Sequence, residues 1–190
     1  MISEYEFVIV HGACGFPEEN WFPWLKGRLT KLGAKVIVPA FPTPAGQTLD
    51  SWMRVFASQC PLLREKTVLI GHSTGGMFSL RVVEKASVQV AACYLVASLG
   101  TERLGIDRFD VINESFVVQP LDWERIRSNC RFFGIYHADN DPYIPLDSAH
   151  SLASKLRSEV QVIPGGGHFN TNAGFTEFPQ LLTDIMKDLG

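Results

Sequence analysis

Charge is in short supply in this chain. Lys plus Arg number 17 against 20 for Asp plus Glu, a net charge of −3, and charged residues make up only 19% of the sequence. A phosphate backbone is held by a dense basic field, so nucleic acid is not an expected partner. Long apolar runs are missing too. A membrane helix needs about 20 apolar residues in succession, and the longest candidate, residues 88–99, carries Gln89 within it. No membrane partner is expected. The chain start has no basic segment of the secretory kind; Glu4 and Glu6 flank the way into Phe7-Val8-Ile9-Val10, which predicts a cytoplasmic location. Cysteine is sparse: Cys14, Cys60, Cys93 and Cys130 lie far apart with no C-x-x-C spacing. That pattern suits free thiols in a reducing compartment and predicts neither a disulfide framework nor a metal site. Neither G-x-G-x-x-G nor G-x-x-x-x-G-K-[ST] fits residues 11–16 or 71–77, so dinucleotide and P-loop readings fail and no cofactor is expected. There is no internal repeat and no low-complexity tract.

What is present is 190 residues, 46% of them hydrophobic, enough for the core of a single domain spanning residues 1–190. Short β-branched runs at residues 7–10, 35–38, 67–70, 88–96, 132–136 and 159–163 read as strands, most of them without a polar face and so covered on both sides. Between them the spacing is helical. Trp21, Trp24, Leu25 and Leu29 fall on one stripe, as do Ala149, Leu152, Ala153 and Leu156, and Phe178, Leu181, Leu182, Ile185, Met186 and Leu189. Such alternation predicts an α/β fold, a three-layer α/β/α sandwich on a mostly parallel sheet of about six strands. Residues 98–120 fit this pattern least well.

In open α/β sheets, ligands bind where the carboxyl ends of strands open into loops. The first run ends in His11-Gly12-Ala13-Cys14-Gly15 and the third in Gly71-His72-Ser73-Thr74-Gly75-Gly76. The fifth ends in His137-Ala138-Asp139-Asn140-Asp141-Pro142, and the sixth in Pro164-Gly165-Gly166-Gly167-His168. Gly71-x-Ser73-x-Gly75 has the form of a nucleophile elbow, a strained strand-to-helix turn in which the flanking glycines remove side chains that would strike the neighbouring strand and helix. A serine hydroxyl needs a base, and the base needs an orienting group. Ser73, an acid and His168 follow in the chain order that hydrolases on this sheet use. Of the five histidines only His168 sits in a glycine-rich loop after the last strand. Asp139 and Asp141 compete for the acid; Pro142 and Pro145 stiffen the turn after Asp141 and favour it. An oxyanion hole would take one backbone N–H from Thr74 and a second from Ala13 or Cys14, with Ala13 the first choice.

These residues, together with Asn20-Trp21-Phe22-Pro23-Trp24-Leu25, Trp52, residues 123–130, Asp141-Pro142-Tyr143-Ile144-Pro145 and Gly167-His168-Phe169, make the chain similar to the α/β-hydrolase superfamily. Within it the chain resembles the small capless serine hydrolases of the retinoblastoma-binding serine hydrolase family. The resemblance implies a minimal α/β-hydrolase fold without a separate cap domain, and places Ser73, Asp141 and His168 at the triad positions. It does not extend to the L-x-C-x-E motif for which that family is named: Cys60, for one, is preceded by Ser58 and followed by Leu62.

Two functions follow as expectations. The first is a serine hydrolase acting on a small-molecule acyl substrate, an ester or amide, through an acyl-enzyme. The second is a catalytically weak protein-interaction module on the same fold, using apolar surface at Trp21, Phe22 and Trp24 or in residues 98–120. Phe16, Trp21, Phe41, Phe109, Phe116 and Phe169 are candidate pocket aromatics by position, and residues 98–120 are the one stretch available for a short lid. Oligomeric state leaves no trace in the sequence.

Overall fold

The computed structural model describes residues 1–60, 62–100 and 103–190. Among the described residues six strands form one sheet: β1 Glu6–Val10, β2 Lys35–Ile37, β3 Thr67–His72, β4 Ala92–Val96, β5 Phe133–Ala138 and β6 Val160–Ile163. Every pairing is parallel, in the order β2-β1-β3-β4-β5-β6. Seven α-helices connect them among the described residues: α1 Phe22–Lys31, α2 Leu49–Gln59, α3 Thr74–Glu84, α4 Asp107–Val117, α5 Trp123–Ser128, α6 Leu146–Leu156 and α7 Pro179–Leu189. None is long and apolar enough to cross a membrane.

The layers follow from the strand faces. Phe7, Ile9, Val68 and Ile70 pack with Trp21, Leu25 and Leu29 of the α1 region and Leu181 and Ile185 of α7. Val8, Val10 and Leu69 point the other way, toward Trp52 and Phe56 of α2, Phe78 and Leu80 of α3, and Leu152 of α6. β1, β3, β4 and β5 are therefore buried on both faces, which is why they read as unbroken apolar runs. Local signals set the helix starts. Proline stands in the first turn of α1 and α7, where a missing N–H costs nothing, and a capping box between Thr48 and Ser51 opens α2.

Some boundaries differ from the sequence reading. The apolar run at residues 88–96 becomes a strand only from Ala92; Gln89 leaves the sheet to donate to Ser128 O at 3.0 Å. β3 and β5 run two residues further than predicted, because Gly71 and His72 pair with β4 and His137 and Ala138 with β6. Residues 98–120, read as aperiodic, contain α4; of that stretch Thr101 and Glu102 lie outside the described residues.

The chain runs from β1 out to β2 and then returns past β1 to β3, so the order reverses between β1 and β3. Loops from neighbouring strands part at such a point and leave a crevice. The glycine turn after β1 and the elbow after β3 meet there. A Cβ on Gly75 would lie 2.3 Å from Val10 O, so α3 can start against β1 only with glycine at this position. Gly75→Ala is expected to lower unfolding stability by roughly 1–3 kcal/mol. Gly27→Ala, inside α1 with open space around it, is expected to raise stability by roughly 0.5–1 kcal/mol. Urea denaturation of the two variants checks both signs.

Candidate active site

Ser73 is the hinge between β3 and α3. Its backbone has φ 53° and ψ −122°, a conformation side chains seldom adopt. Three hydrogen bonds hold it there: Ser73 N–H donates to Val96 O (2.9 Å), while Ser73 O accepts from Gly76 N–H (2.9 Å) and from the Ser98 hydroxyl (3.1 Å). Ser98 is buried against Gly76, where a Cβ would stand 2.2 Å from Ser98 Oγ. The result leaves Ser73 lining a cleft of about 760 Å³ together with His168, Gly12, Ala13 and Thr74.

His168 and Asp141 meet directly, with Nδ1 2.8 Å from Oδ2. The Asp141 side chain is fully buried and that of His168 is 11% exposed. Burial pushes the Asp141 carboxyl up, but the hydrogen bond and charge of His168, with the N–H groups of Tyr143 (2.9 Å) and Ile144 (3.1 Å) on Oδ1, outweigh it and hold the carboxyl below its usual range. Asp141 thus stays ionised and fixes the Nδ1–H tautomer of His168, leaving Nε2 as the basic nitrogen. Asp139, the competing acid, points elsewhere: its Oδ1 accepts from Gly165 N–H at 2.8 Å. Asn140 accepts from Gly167 N–H at 2.8 Å. The three successive residues after β5 therefore grip the glycine loop and its histidine from one side.

His72 grips from the other. It donates from Nε2 to the His168 carbonyl at 2.8 Å, and its Nδ1 is buried with no partner among the described residues. Burial, helped by the nearby His168, pushes the His72 pKa down to about 3. His137, inside β5, donates from Nε2 to Ile144 O (2.9 Å), and burial likewise lowers its pKa. His11 accepts from Phe41 N–H on Nε2 (3.0 Å) and so carries its proton on Nδ1, which donates to Gly12 O at 2.8 Å. Gly15 N–H reaches the same oxygen at 3.2 Å.

Pinning Gly12 O orients the next N–H, since carbonyl and amide point opposite ways across a trans peptide. Ala13 N–H has no hydrogen-bond partner among the described residues, whereas Cys14 N–H is committed to Thr43 Oγ1 at 2.6 Å. Gly12 also sits hard against the serine; a Cβ there would be 3.0 Å from Ser73 Cβ. Thr74 N–H, first in α3, has no carbonyl one turn back within its helix, and the positive end of the helix faces the same place. Ala13 and Thr74 thus bring two backbone donors beside Ser73. No group of three or more His, Cys, Asp or Glu suited to a metal occurs among the described residues.

The aromatic candidates divide. Phe16 and Phe109 line the cleft, with Leu104, Ile112 and Tyr143. Trp21, Phe41, Phe116 and Phe169 are core residues, at most 5% exposed. Trp21 donates its indole N–H to Phe169 O (3.1 Å) and so braces the residue after His168. The aromatic surface imagined for a protein partner is accordingly smaller than the sequence suggests, since Trp21 and Phe22 are fully buried.

A family model described as serine hydrolase matches residues 7–187. The chain belongs to the serine hydrolase family. Among curated relatives it is 26% identical to the putative hydrolase YdeN of Bacillus subtilis, over 94% of this chain and 92% of that one. It is 27% identical to the serine hydrolase RBBP9 of Rattus norvegicus, over 100% and 98%. Among solved structures, that of the B. subtilis ydeN product superposes with a TM-score of 0.89 at 24% identity, covering 97% of this chain and 98% of the other. Est1E of Butyrivibrio proteoclasticus with bound ferulic acid gives 0.71 at 15% identity, covering 97% and 87%. The family makes this protein a hydrolase and gives it the α/β-hydrolase fold.

The buried histidines set an acid limit. A neutral His72 in the folded state titrates near 3 against 6.5 for the free side chain, so between those values the unfolded chain binds the extra proton. Stability is full above about pH 6.5 and falls as pH is lowered toward 3, at up to about 1.4 kcal/mol per unit. His11 and His137 shift the same way, and Asp141 adds its share only below the usual carboxylate range. Urea midpoints measured from pH 7 to 4 should decline, and His72→Gln, which keeps a donor for His168 O, should flatten the slope.

Proposed function

We propose that the protein hydrolyses small ester or amide substrates through a Ser73–His168–Asp141 triad and an acyl-enzyme. The observation that carries this reading is the 2.8 Å His168–Asp141 hydrogen bond in a cleft that also holds Ser73 on its strained elbow. Ser73 Oγ would attack the acyl carbonyl while His168 Nε2 takes the hydroxyl proton. Asp141 stabilises the resulting imidazolium, and the oxyanion is received by the N–H groups of Ala13 and Thr74. The proton then passes to the leaving alcohol or amine. Water, deprotonated by the same Nε2, releases the acid and restores the serine.

The apolar wall of Leu104, Phe109, Ile112 and Tyr143 suits an apolar acyl or leaving group. In the same reading residues 1–190 act as one domain without a separate cap, and α4 gives the cleft a partial cover. The four free cysteines suit a cytoplasmic setting.

A fluorophosphonate probe tests the nucleophile: wild type is expected to be labelled, Ser73→Ala not, and labelling that survives the substitution would remove Ser73 from the role. Ester hydrolysis separates the acids. Asp141→Asn leaves His168 without its orienting charge and is expected to lower kcat by about 10⁴. Asp139→Asn keeps an oxygen for Gly165 N–H and should cost less than tenfold. The reverse order would refute the assignment.

A further inference from the structure

Outside the triad, four polar side chains make one continuous chain of hydrogen bonds. Cys14 N–H donates to Thr43 Oγ1 at 2.6 Å, so the Thr43 hydroxyl proton is free to go onward, and it goes to Gln47 Oε1. That contact fixes the Gln47 amide with its nitrogen toward Asn113 Oδ1, 2.8 Å away. The same oxygen accepts the Thr74 hydroxyl at 2.9 Å. Each bond sets the direction of the next. Gln47, Asn113 and Thr74 are buried, at 7%, 6% and 2% exposure, and Thr43 is half-buried.

The chain joins four separate segments: the glycine turn after β1, the approach to α2, helix α4 and the first residue of α3. Its two ends adjoin the two backbone donors described above, since Cys14 follows Ala13 and Thr74 carries the other N–H itself. A buried polar chain is poor value for stability, because apolar side chains of equal volume would pack without desolvation cost. What it confers is a single relative position for the parts it connects. We infer that Thr43, Gln47 and Asn113 are positioning residues that fix the spacing of the Ala13 and Thr74 N–H groups, and couple that spacing to α4, the helix that contributes Phe109 and Ile112 to the apolar wall. This rests on the serine-hydrolase reading of Ser73.

The consequence is quantitative. Loss of one oxyanion donor costs about 10²–10³ in rate, and loosening its position without removing it should cost less, about tenfold. α4 keeps a second tether to α2, from Leu49 N–H to the Ser115 hydroxyl at 2.9 Å, and buries Phe116 in the core, so single changes in the chain should leave the fold in place.

The test measures hydrolysis of p-nitrophenyl butyrate and inhibition by a trifluoromethyl ketone, which captures the serine as a tetrahedral oxyanion, in Thr43→Val, Gln47→Met, Asn113→Leu and Thr43→Ser. Expected are a roughly tenfold fall in kcat with KM within about twofold for the first three, a parallel loss of affinity for the ketone, and near-wild-type behaviour of Thr43→Ser. Unchanged kcat and ketone affinity in an active wild-type background would overturn the positioning role alone. So would an effect confined to KM, or an equal loss in Thr43→Val and Thr43→Ser, which would mark packing rather than hydrogen bonding. A wild type that neither hydrolyses esters nor reacts with a fluorophosphonate overturns the inference together with the hydrolase reading beneath it.

Discussion

The site depends on a backbone constraint at Ser73. A residue with a side chain held at φ 53° costs on the order of 1–3 kcal/mol, and such strain persists only where the surroundings over-determine it. Here they do. Ser73 N–H is tied to the end of β4, its carbonyl to α3 and to Ser98, and the chain on either side is free of side chains at Gly71, Gly75 and Gly76, where a Cβ would come within 2.5 Å of its neighbours. Strand β3 and helix α3 are consequently pressed against β1, and the glycine turn after β1 has nowhere to lie except against the serine. One strained residue thereby fixes the position of the proposed nucleophile, the start of the helix whose first N–H faces the cleft, and the loop that brings Ala13.

The second layer of order is made by neutral histidines. Three of them, His11, His72 and His137, are buried, and each donates one proton to a main-chain oxygen: of Gly12, of His168 and of Ile144. In each case the carbonyl belongs to a loop that carries a functional group. Burial lowers all three pKa values, which suits the task, because a charged imidazole in these places would add a proton on the second nitrogen with nothing to receive it at His72 or His137. His168 differs from these three: its Nδ1 is hydrogen-bonded to the Asp141 carboxylate and its side chain is partly open to the cleft, the geometry that the proposed base requires.

The sheet was legible because its strands are buried on both faces, and an apolar run of four to six residues has few other uses. That Ser73, Asp141 and His168 would come together was legible because strand ends are few and the glycines beside them have a steric purpose that their spacing displays. Asp139 and Asp141 could be ranked by the prolines that follow, but the work Asp139 does in holding Gly165 is a contact across 26 residues and leaves no local mark. Ser98, Gln47 and Asn113 are the clearer omissions. Each is a polar residue in a segment without period, and its meaning lies wholly in which distant atom it reaches: Ser98 the carbonyl of Ser73, Gln47 and Asn113 one another across 66 positions. Asn140 and His72 were visible only as neighbours of more conspicuous residues.

Those omissions share a physical cause. Residues that react or that bend the chain announce themselves through chemistry or sterics, which are properties of the residue type. Residues that position others act through hydrogen bonds whose value arises on burial, and an Asn or Gln reads as loop or surface until the fold removes it from water. A buried Asn113 would be a liability in a core built for stability alone. It is tolerated here because its Oδ1 accepts from both the Gln47 amide and the Thr74 hydroxyl, and because helix α4 buries only Phe116 of its apolar residues, with Val111 turned outward at 72% exposure, a narrow apolar face on which to set its place over the cleft. The polar contact supplies the register that hydrophobic packing leaves open, and it does so at Thr74, the residue next to Ser73, where in the proposed mechanism a small displacement has the greatest chemical effect.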